Sequence, residues 1–376
     1  MKFTVSSTTL SSNLQALSRV LNSKNTLPIL DSFLFDVSNN KLTITASDGE
    51  NIMTAHIDLV EGAEGGSFCL FTKTIIDAVK EFAEEPLTFE VTEEEQSAVI
   101  KYHNGQNRIP VQPAEEYKDF LNKQTVGIAS TTLTLKAEEL SKTINRSVFA
   151  TAQEDLRPVM NGLFFDLKSD NLTIVASDGH KLVRNENYNV KGHEPAMFIL
   201  PKKPAMLLKT LLPKDGEVTI TFDESCATIS FGSCVLTCRL IEGRYPNYNS
   251  VIPQNNPNDL TIDRQTLLSA LKRVLVFASQ SSYLIRFSLE SNKLTLSSED
   301  VDYSTSANEE LTCEYFGMPM SIGFKGTSLI EVLGNIESQD VILKLSDPSR
   351  AGIIVPAQQA ENDDLLMLIM PMLLND

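Results

Sequence analysis

One pattern occurs three times along this chain, and that repetition limits the possible folds more than any other feature. The first copy reads Leu27-Pro-Ile-Leu-Asp-Ser-Phe-Leu-Phe-Asp-Val and then Asn40-Lys-Leu-Thr-Ile-Thr-Ala-Ser-Asp-Gly49. The second reads Arg157-Pro-Val-Met-Asn-Gly-Leu-Phe-Phe-Asp-Leu and then Asp170-Asn-Leu-Thr-Ile-Val-Ala-Ser-Asp-Gly179. The third reads Ser282-Tyr-Leu-Ile-Arg-Phe-Ser-Leu and then Asn292-Lys-Leu-Thr-Leu-Ser-Ser-Glu-Asp300. The central leucines, Leu42, Leu172 and Leu294, stand 130 and 122 residues apart. That period is too long for a short-repeat solenoid and marks a whole domain in triplicate.

The surroundings repeat as well. Upstream of each copy a short strand leads into a helix: Lys2–Val5 with Thr8–Leu21, Thr132–Leu135 with Ala137–Phe149, and Leu260–Ile262 with Arg264–Phe277. Downstream come strand, helix and strand: Phe68–Phe71, Thr74–Phe82 and Leu87–Val91; Phe198–Leu200, Lys203–Leu211 and Val218–Phe222; Ser321–Phe324, Ser328–Asn335 and Val341–Leu345. Helical runs carry apolar residues at i, i+3, i+4 spacing, as at Leu267, Leu268, Leu271 and Leu275, whereas strand runs alternate, as at Leu172, Ile174 and Ala176. The expectation is an α+β chain of three similar domains, at 1–126, 127–254 and 255–376. Each doubles a β-α-β-β-β half, giving about two helices and eight strands, with the helices packed on antiparallel sheets.

Charge sorts by element. The chain carries 32 Lys and Arg against 49 Asp and Glu, a net −17 over 376 residues. The six expected helices with their flanking residues (7–24, 72–84, 136–150, 201–212, 263–276 and 325–337) hold 14 basic and eight acidic residues, a net of +6, which leaves −23 for the rest of the chain. A polyanion would therefore meet the helices and be repelled elsewhere. Solvated surface lysines account for the same count, so charge alone leaves both readings open. Six helices at about 8–10 Å spacing span roughly 50–60 Å, a length consistent with two chains closing round a hydrated duplex, and head-to-tail contact is a permitted route to a ring, but the geometry does not derive one.

Other classes find little support. There is no Walker loop, HExxH or GxSxG, and His56, His103, His180 and His193 lack metal-ligand spacing, so no enzyme and no cofactor is expected. Five cysteines without a CxxC read as buried free thiols in a reducing compartment, although Cys234 and Cys238 share one strand face. No apolar run reaches membrane-span length and the N-terminus does not read as a secretory signal, so a cytoplasmic protein without membrane contact is expected.

Five motifs in constant order carry a family resemblance: Met1-Lys-Phe-Thr-Val, Thr26-Leu-Pro-Ile-Leu30, Ala176-Ser-Asp-Gly-His-Lys-Leu182, Glu242-Gly-Arg-Tyr-Pro-Asn-Tyr248 and Met370-Pro-Met372. Together they resemble the bacterial sliding clamps, the beta subunits of DNA polymerase III. The resemblance implies a processivity factor that encircles double-stranded DNA without reading its sequence. It implies a homodimeric, head-to-tail ring of six domains, with helices lining the hole and sheets outside. It also implies a cleft between the second and third domains. There the polymerase III catalytic subunit, the clamp loader, other polymerases and repair proteins insert short linear peptides.

Carried over by position, the cleft residues are Met160, Ser177, Gly179, His180, Lys181, Leu182, Pro246, Val251, Leu368, Met370, Pro371 and Met372. For DNA, family positions match Lys24 and Arg157, while Arg19, Lys80, Arg146, Lys202, Lys209 and Arg273 are candidates from helical charge. The matching dimer-contact positions are Ile109 and Val111, facing Val276 and Phe277. Ser-Asp-Gly also occurs at 47–49, so that turn reads as structural, and His180 and Lys181 distinguish the second copy. Two departures stand out. Pro158 and Val159 replace tyrosines found in some relatives, and the tail ends Leu373-Leu-Asn-Asp376 where relatives can end with a basic residue. The alternative reading is a repeated β-rich scaffold that binds proteins but does not encircle DNA.

Overall fold

The computed structural model describes residues 1–374 except 26, 63–64, 93, 125–130 and 154–155. The expected boundary at 126/127, Thr26 of the second motif and the last two tail residues lie outside the described set. Among the described residues each repeat contains the expected eight strands and two helices, and every strand pairing is antiparallel. Beyond that pattern the structure adds the two-residue strands Gln112–Pro113 and Glu314–Tyr315 and one further helix.

The helices are α1 Ser7–Ser18, α2 Thr72–Val79, α3 Glu115–Lys123, α4 Ala137–Ser147, α5 Lys202–Leu211, α6 Arg264–Leu275 and α7 Gly326–Gly334. Local chemistry fixes their starts. Ser6 caps α1 by accepting the Thr9 N–H at 3.2 Å, and Asp263 caps α6 by accepting the Thr266 N–H at 2.7 Å. Leu10, Leu14 and Leu17 of α1 are fully buried on one face, each contributing about 1.5–3 kcal/mol. The helix α3 was not expected. It is short and polar and buries only Tyr117, which packs with Ile29, Leu30, Leu34 and Cys69. Glu115 and Glu116 in its first turn and Lys123 in its last complement the helix dipole.

The chain forms two compact units, Met1–Ser141 with Met206–Leu240, and Lys142–Ala205 with Ile241–Asp376. Each unit holds one four-stranded and one nine-stranded sheet. In the first unit the nine-stranded sheet joins the first and second repeats, because Asn51–Asp58 pairs with Cys234–Arg239. In the second unit it joins the second and third repeats, because Lys181–Asn187 pairs with Asp363–Ile369. Both junctions obey one rule: the fourth strand of a repeat pairs with the last strand of the next. Among the described residues the two strands that the rule would pair but that lie at sheet edges are Gly105–Pro110 (the last strand of the first repeat) and Thr305–Thr312 (the fourth strand of the third). A further edge, Met320–Lys325, is met by the tail, where the Met372 N–H donates to the Gly323 carbonyl at 2.8 Å.

The helices of the second unit's four-stranded sheet pack closely. A Cβ on Gly326, the first residue of α7, would fall 2.7 Å from Leu275 Cδ1 of α6 and 2.6 Å from Ile285 Cδ1. Glycine there lets α7 lie against α6 and the sheet.

Candidate functional site

The turn at Ser177–Lys181 builds one wall of a cleft in the second unit. Asp178 Oδ1 accepts the backbone N–H groups of His180 and Lys181, both at 2.9 Å. Ser177 Oγ accepts the Gly179 N–H at 3.1 Å and donates to the Lys181 carbonyl at 2.9 Å. Gly179 has φ +88°, which glycine adopts without strain. The same device recurs in the first repeat, where Asp48 accepts from Glu50 and Asn51 and Gly49 has φ +100°. The turn is therefore a structural element of the repeat.

The second copy differs at Lys181. Its ammonium pairs with Asp178 at 2.9 Å and Glu331 at 3.0 Å, with 10% of the side chain exposed. Burial pulls its pKa down, but the hydrogen bonds to Asp178 and Glu331 outweigh burial and hold it above the ordinary lysine value.

The cleft has a volume of about 270 Å³. Nine of the twelve expected residues line it: Met160, Ser177, Gly179, Lys181, Leu182, Pro246, Val251, Leu368 and Met370. Met160, Leu182 and Leu368 are buried in its floor, whereas Val251 and Met370 are 55% and 41% exposed at its rim. His180, Pro371 and Met372 are not in the lining. The exposed His180 offers its backbone instead, since its carbonyl accepts the Met370 N–H at 2.8 Å and so holds the tail beside the cleft. Leu373 beyond it is 86% exposed.

Four lining residues were not expected there: Arg157, Tyr245, Asn247 and Tyr248. Tyr245 stacks on Phe164 with centroids 4.7 Å apart and ring planes 5° apart. Tyr248 also packs in this cluster, and its hydroxyl donates to Asp166 at 3.0 Å. Arg157, expected to meet DNA, is exposed beside Gly179, where a Cβ would stand 3.7 Å from its Nη1. The Gly-Arg-Tyr-Pro-Asn-Tyr motif held the signal for the tyrosines, because it sets two aromatics three residues apart on either side of a proline.

The other basic candidates fall into distinct environments. Arg19, Lys24 and Lys209 are exposed, and Lys202 is half-buried. Lys80 is exposed and pairs with Asp77 at 2.9 Å. Arg273 is 60% exposed, and its Nε donates to Glu309 at 3.0 Å. Arg146 is 8% exposed and pairs with Asp363 at 2.7 Å and Glu337 at 3.7 Å. That burial makes Arg146 part of an internal ion pair rather than a cation free to meet a phosphate. Of the dimer-contact candidates, Ile109 and Val111 are buried at 6% and 8%, whereas Val276 and Phe277 are 77% and 40% exposed.

Among the described residues no group of His, Cys, Asp and Glu is placed to hold a metal. Burial pushes the Cys69 and Cys238 thiols up to about 12. Among the described residues no helix is long and apolar enough to cross a membrane.

Comparison with known proteins agrees along the whole length. The N-terminal, central and C-terminal domains of the DNA polymerase III beta subunit match residues 1–121, 134–247 and 249–373. The beta sliding clamp of Pseudomonas putida is 28% identical over 374 residues, covering 99% of this chain and 100% of that protein. That of Haemophilus influenzae is 26% identical over 376 residues, covering 99% and 100%. The crystal structure of a sliding clamp from Pseudomonas aeruginosa bound to griselimycin superposes with a TM-score of 0.92 at 27% identity, covering 100% of both chains. The beta subunit from Thermotoga maritima gives 0.89 at 26% identity, again covering 100% of both. With all three of its domains matched in order, the chain belongs to the DNA polymerase III beta subunit family.

Proposed function

We infer that this chain is a DNA sliding clamp, a processivity subunit that encircles duplex DNA and tethers the replicative polymerase and other replication and repair proteins. The observation that carries this is the succession of all three beta-subunit domains along one triplicated chain. The proposed domains are 1–126, 127–254 and 255–376, in keeping with the matched spans. The role requires no catalytic site and no cofactor, and it places the protein in the cytoplasm with the DNA.

The strand-pairing rule supports head-to-tail closure. At both internal junctions the fourth strand of one repeat meets the last strand of the next. Applied to the free edges, the rule joins Thr305–Thr312 of one copy to Gly105–Pro110 of another. The exposed Val276 and Phe277 then provide apolar surface at the contact, and Ile109 and Val111 lie behind the facing edge. A heterologous contact of this kind closes into a ring when its rotation permits.

Arg19, Lys24, Lys80, Lys202, Lys209 and Arg273, with Arg157, are the proposed phosphate contacts. Arg146 leaves the set because it is buried. Phosphate contacts hold the ring on duplex without reading bases, so it slides. Retention is topological. Partner peptides enter the cleft, where the apolar floor and the adaptable Met370 accept varied side chains. Leu373 enlarges the apolar rim where some relatives carry a basic residue. The net charge of −17 is the feature that favours the scaffold alternative, but the negative charge lies mostly on strands and loops, and α5 and α6 carry three basic residues each and no acid.

The test is to load the protein onto nicked circular DNA with a clamp loader and then linearise the DNA. The expected result is retention on circles and loss from linear ends. Equal retention on both would remove the topological reading.

A further inference from the structure

The two internal junctions agree in register as well as in the choice of strands. Phe3, Leu133 and Leu260 each stand four residues before the start of the first helix of their repeat. Following the strand pairings outward from them leads to Asn107, Leu236 and Met367 on the last strands. Met53, Val183 and Ala307 are the matching positions on the fourth strands, each four residues before the partner of its repeat's central leucine. At the first junction Leu236 faces Met53, and at the second Met367 faces Val183. The equivalent positions on the two edge strands are Asn107 and Ala307.

The backbone of both edges is set for that match. The Val111 N–H donates to the Gln96 carbonyl at 2.9 Å across its own hairpin, so alternation turns the main-chain groups of Gln106 and Arg108 to the free side. The Cys313 N–H donates to the Asn292 carbonyl at 3.3 Å, which turns those of Ser306 and Asn308 to the free side in the same way. Asn107 and Ala307 are half-buried, whereas Gln106, Arg108, Ser306 and Asn308 are exposed.

We propose that two copies of this chain join in one register, with Asn107 opposite Ala307, and that Pro110 is a specificity-determining residue that excludes the register two residues away. This rests on the reading of head-to-tail closure. Arg108 then exchanges both main-chain bonds with Ser306, and Gln106 with Asn308. A slip of one residue would turn half-buried side chains against exposed ones, so only slips of two residues compete. One such slip places Pro110 opposite Ser306, and proline has no N–H to give the Ser306 carbonyl. The other places Arg108 opposite Ser304, whose N–H already donates to the Val301 carbonyl at 3.3 Å and whose φ of +54° takes the chain off the strand. In the proposed register Pro110 and Ser304 face each other at the end of the ladder, where no N–H is required of either.

The experiment uses the full-length chain with pairs of introduced cysteines. Asn107→Cys is combined with Ala307→Cys, with Thr305→Cys or with Glu309→Cys, and each single variant controls for the five native thiols. Facing residues between bonded pairs lie within disulfide reach, whereas diagonal ones stand about 7–8 Å apart. After oxidation with diamide, non-reducing gels should show at least about fivefold more disulfide-linked dimer for the 107/307 pair than for the other two. A yield highest at 107/305 or 107/309 overturns the register. Adding Pro110→Ala should raise the 107/309 yield at least about threefold, and no rise overturns the role of the proline. In wild type, which carries no new cysteine, hydrogen exchange should be slow at Gln106, Arg108, Ser306 and Asn308 in the dimer. Fast exchange there, in a protein that sediments as a dimer, means that the copies join elsewhere and overturns the pairing. If wild type sediments as a monomer at every concentration, head-to-tail closure itself fails.

Discussion

The Lys181 ammonium lies 3.0 Å from the Glu331 carboxylate and ties the turn of the second repeat to α7 of the third. Asp178 holds the same ammonium at 2.9 Å. A cation that sequence position assigns to partner binding thus stabilises the wall of the cleft. Three similar pairs support the same junction. Arg146 and Lys142 meet Asp363, and Arg184 meets Asp364, in each case a second-repeat cation against a third-repeat acid.

Lys181→Met should lower the urea midpoint by the equivalent of about 1–2 kcal/mol, because Asp178 and Glu331 are partly exposed and can rehydrate. The pH dependence has a definite sign. The folded pKa is raised above the lysine value of 10.5, so the stabilisation is complete below that pH and is lost as pH rises through the folded value. The advantage of wild type over the methionine variant should hold from about pH 6 to about pH 10 and shrink above it. A difference that disappeared below about pH 9 would assign it to another group.

Asp363→Asn removes the 2.7 Å partner of Arg146, whose side chain is 9% exposed. A buried guanidinium left without its main counter-charge should cost about 2–4 kcal/mol. Glu337→Gln should cost less than about 0.5 kcal/mol, because that carboxylate is 73% exposed and 3.7 Å away. Chemical denaturation of the two variants gives the ranking, and equal effects would mean that Arg146 is not held as described.

Much of this architecture was legible because each repeat supplies the same hydrophobic periods. The strand runs and six of the helices follow from alternation and i, i+4 spacing, and the turn at 177–181 follows from its twin at 47–51. The helix α3 was missed because one buried side chain, Tyr117, holds it, which leaves no periodic stripe to read. Nine cleft residues were placed by position. The roles of Lys181 and Arg146 were not, because sequence shows a charge but not its partner, and Asp363 lies 217 residues from Arg146. The fusion of repeats into nine-stranded sheets was also hidden, since edge pairing depends on backbone groups that every residue carries.

Self-association should depend on Val276 far more than on the stability of the chain. Val276 is 77% exposed, so Val276→Glu should change the unfolding midpoint by less than about 0.5 kcal/mol. At the proposed contact it would bury an unpaired charge and weaken the dimer at least about tenfold. Ile109 is a poorer probe, because at 6% exposure its replacement also disturbs the fold. Sedimentation of dilute protein measures the effect, and an unchanged dimer would move the interface away from Val276.

Duplex binding should separate the exposed helical cations from the buried one. Each cation that neutralises a phosphate contributes about 0.9 to the slope of log affinity against log salt. Arg19 is exposed beyond the end of α1, so Arg19→Gln should reduce the slope by about that amount for each copy in the ring and weaken binding at low salt. Arg146→Met should leave the slope unchanged while lowering the unfolding midpoint, because its charge faces Asp363 and Glu337. Anisotropy titrations of a labelled duplex across a salt series would show both. A reduced slope in Arg146→Met, or an unaltered one in Arg19→Gln, would reverse the assignment of which arginine meets DNA.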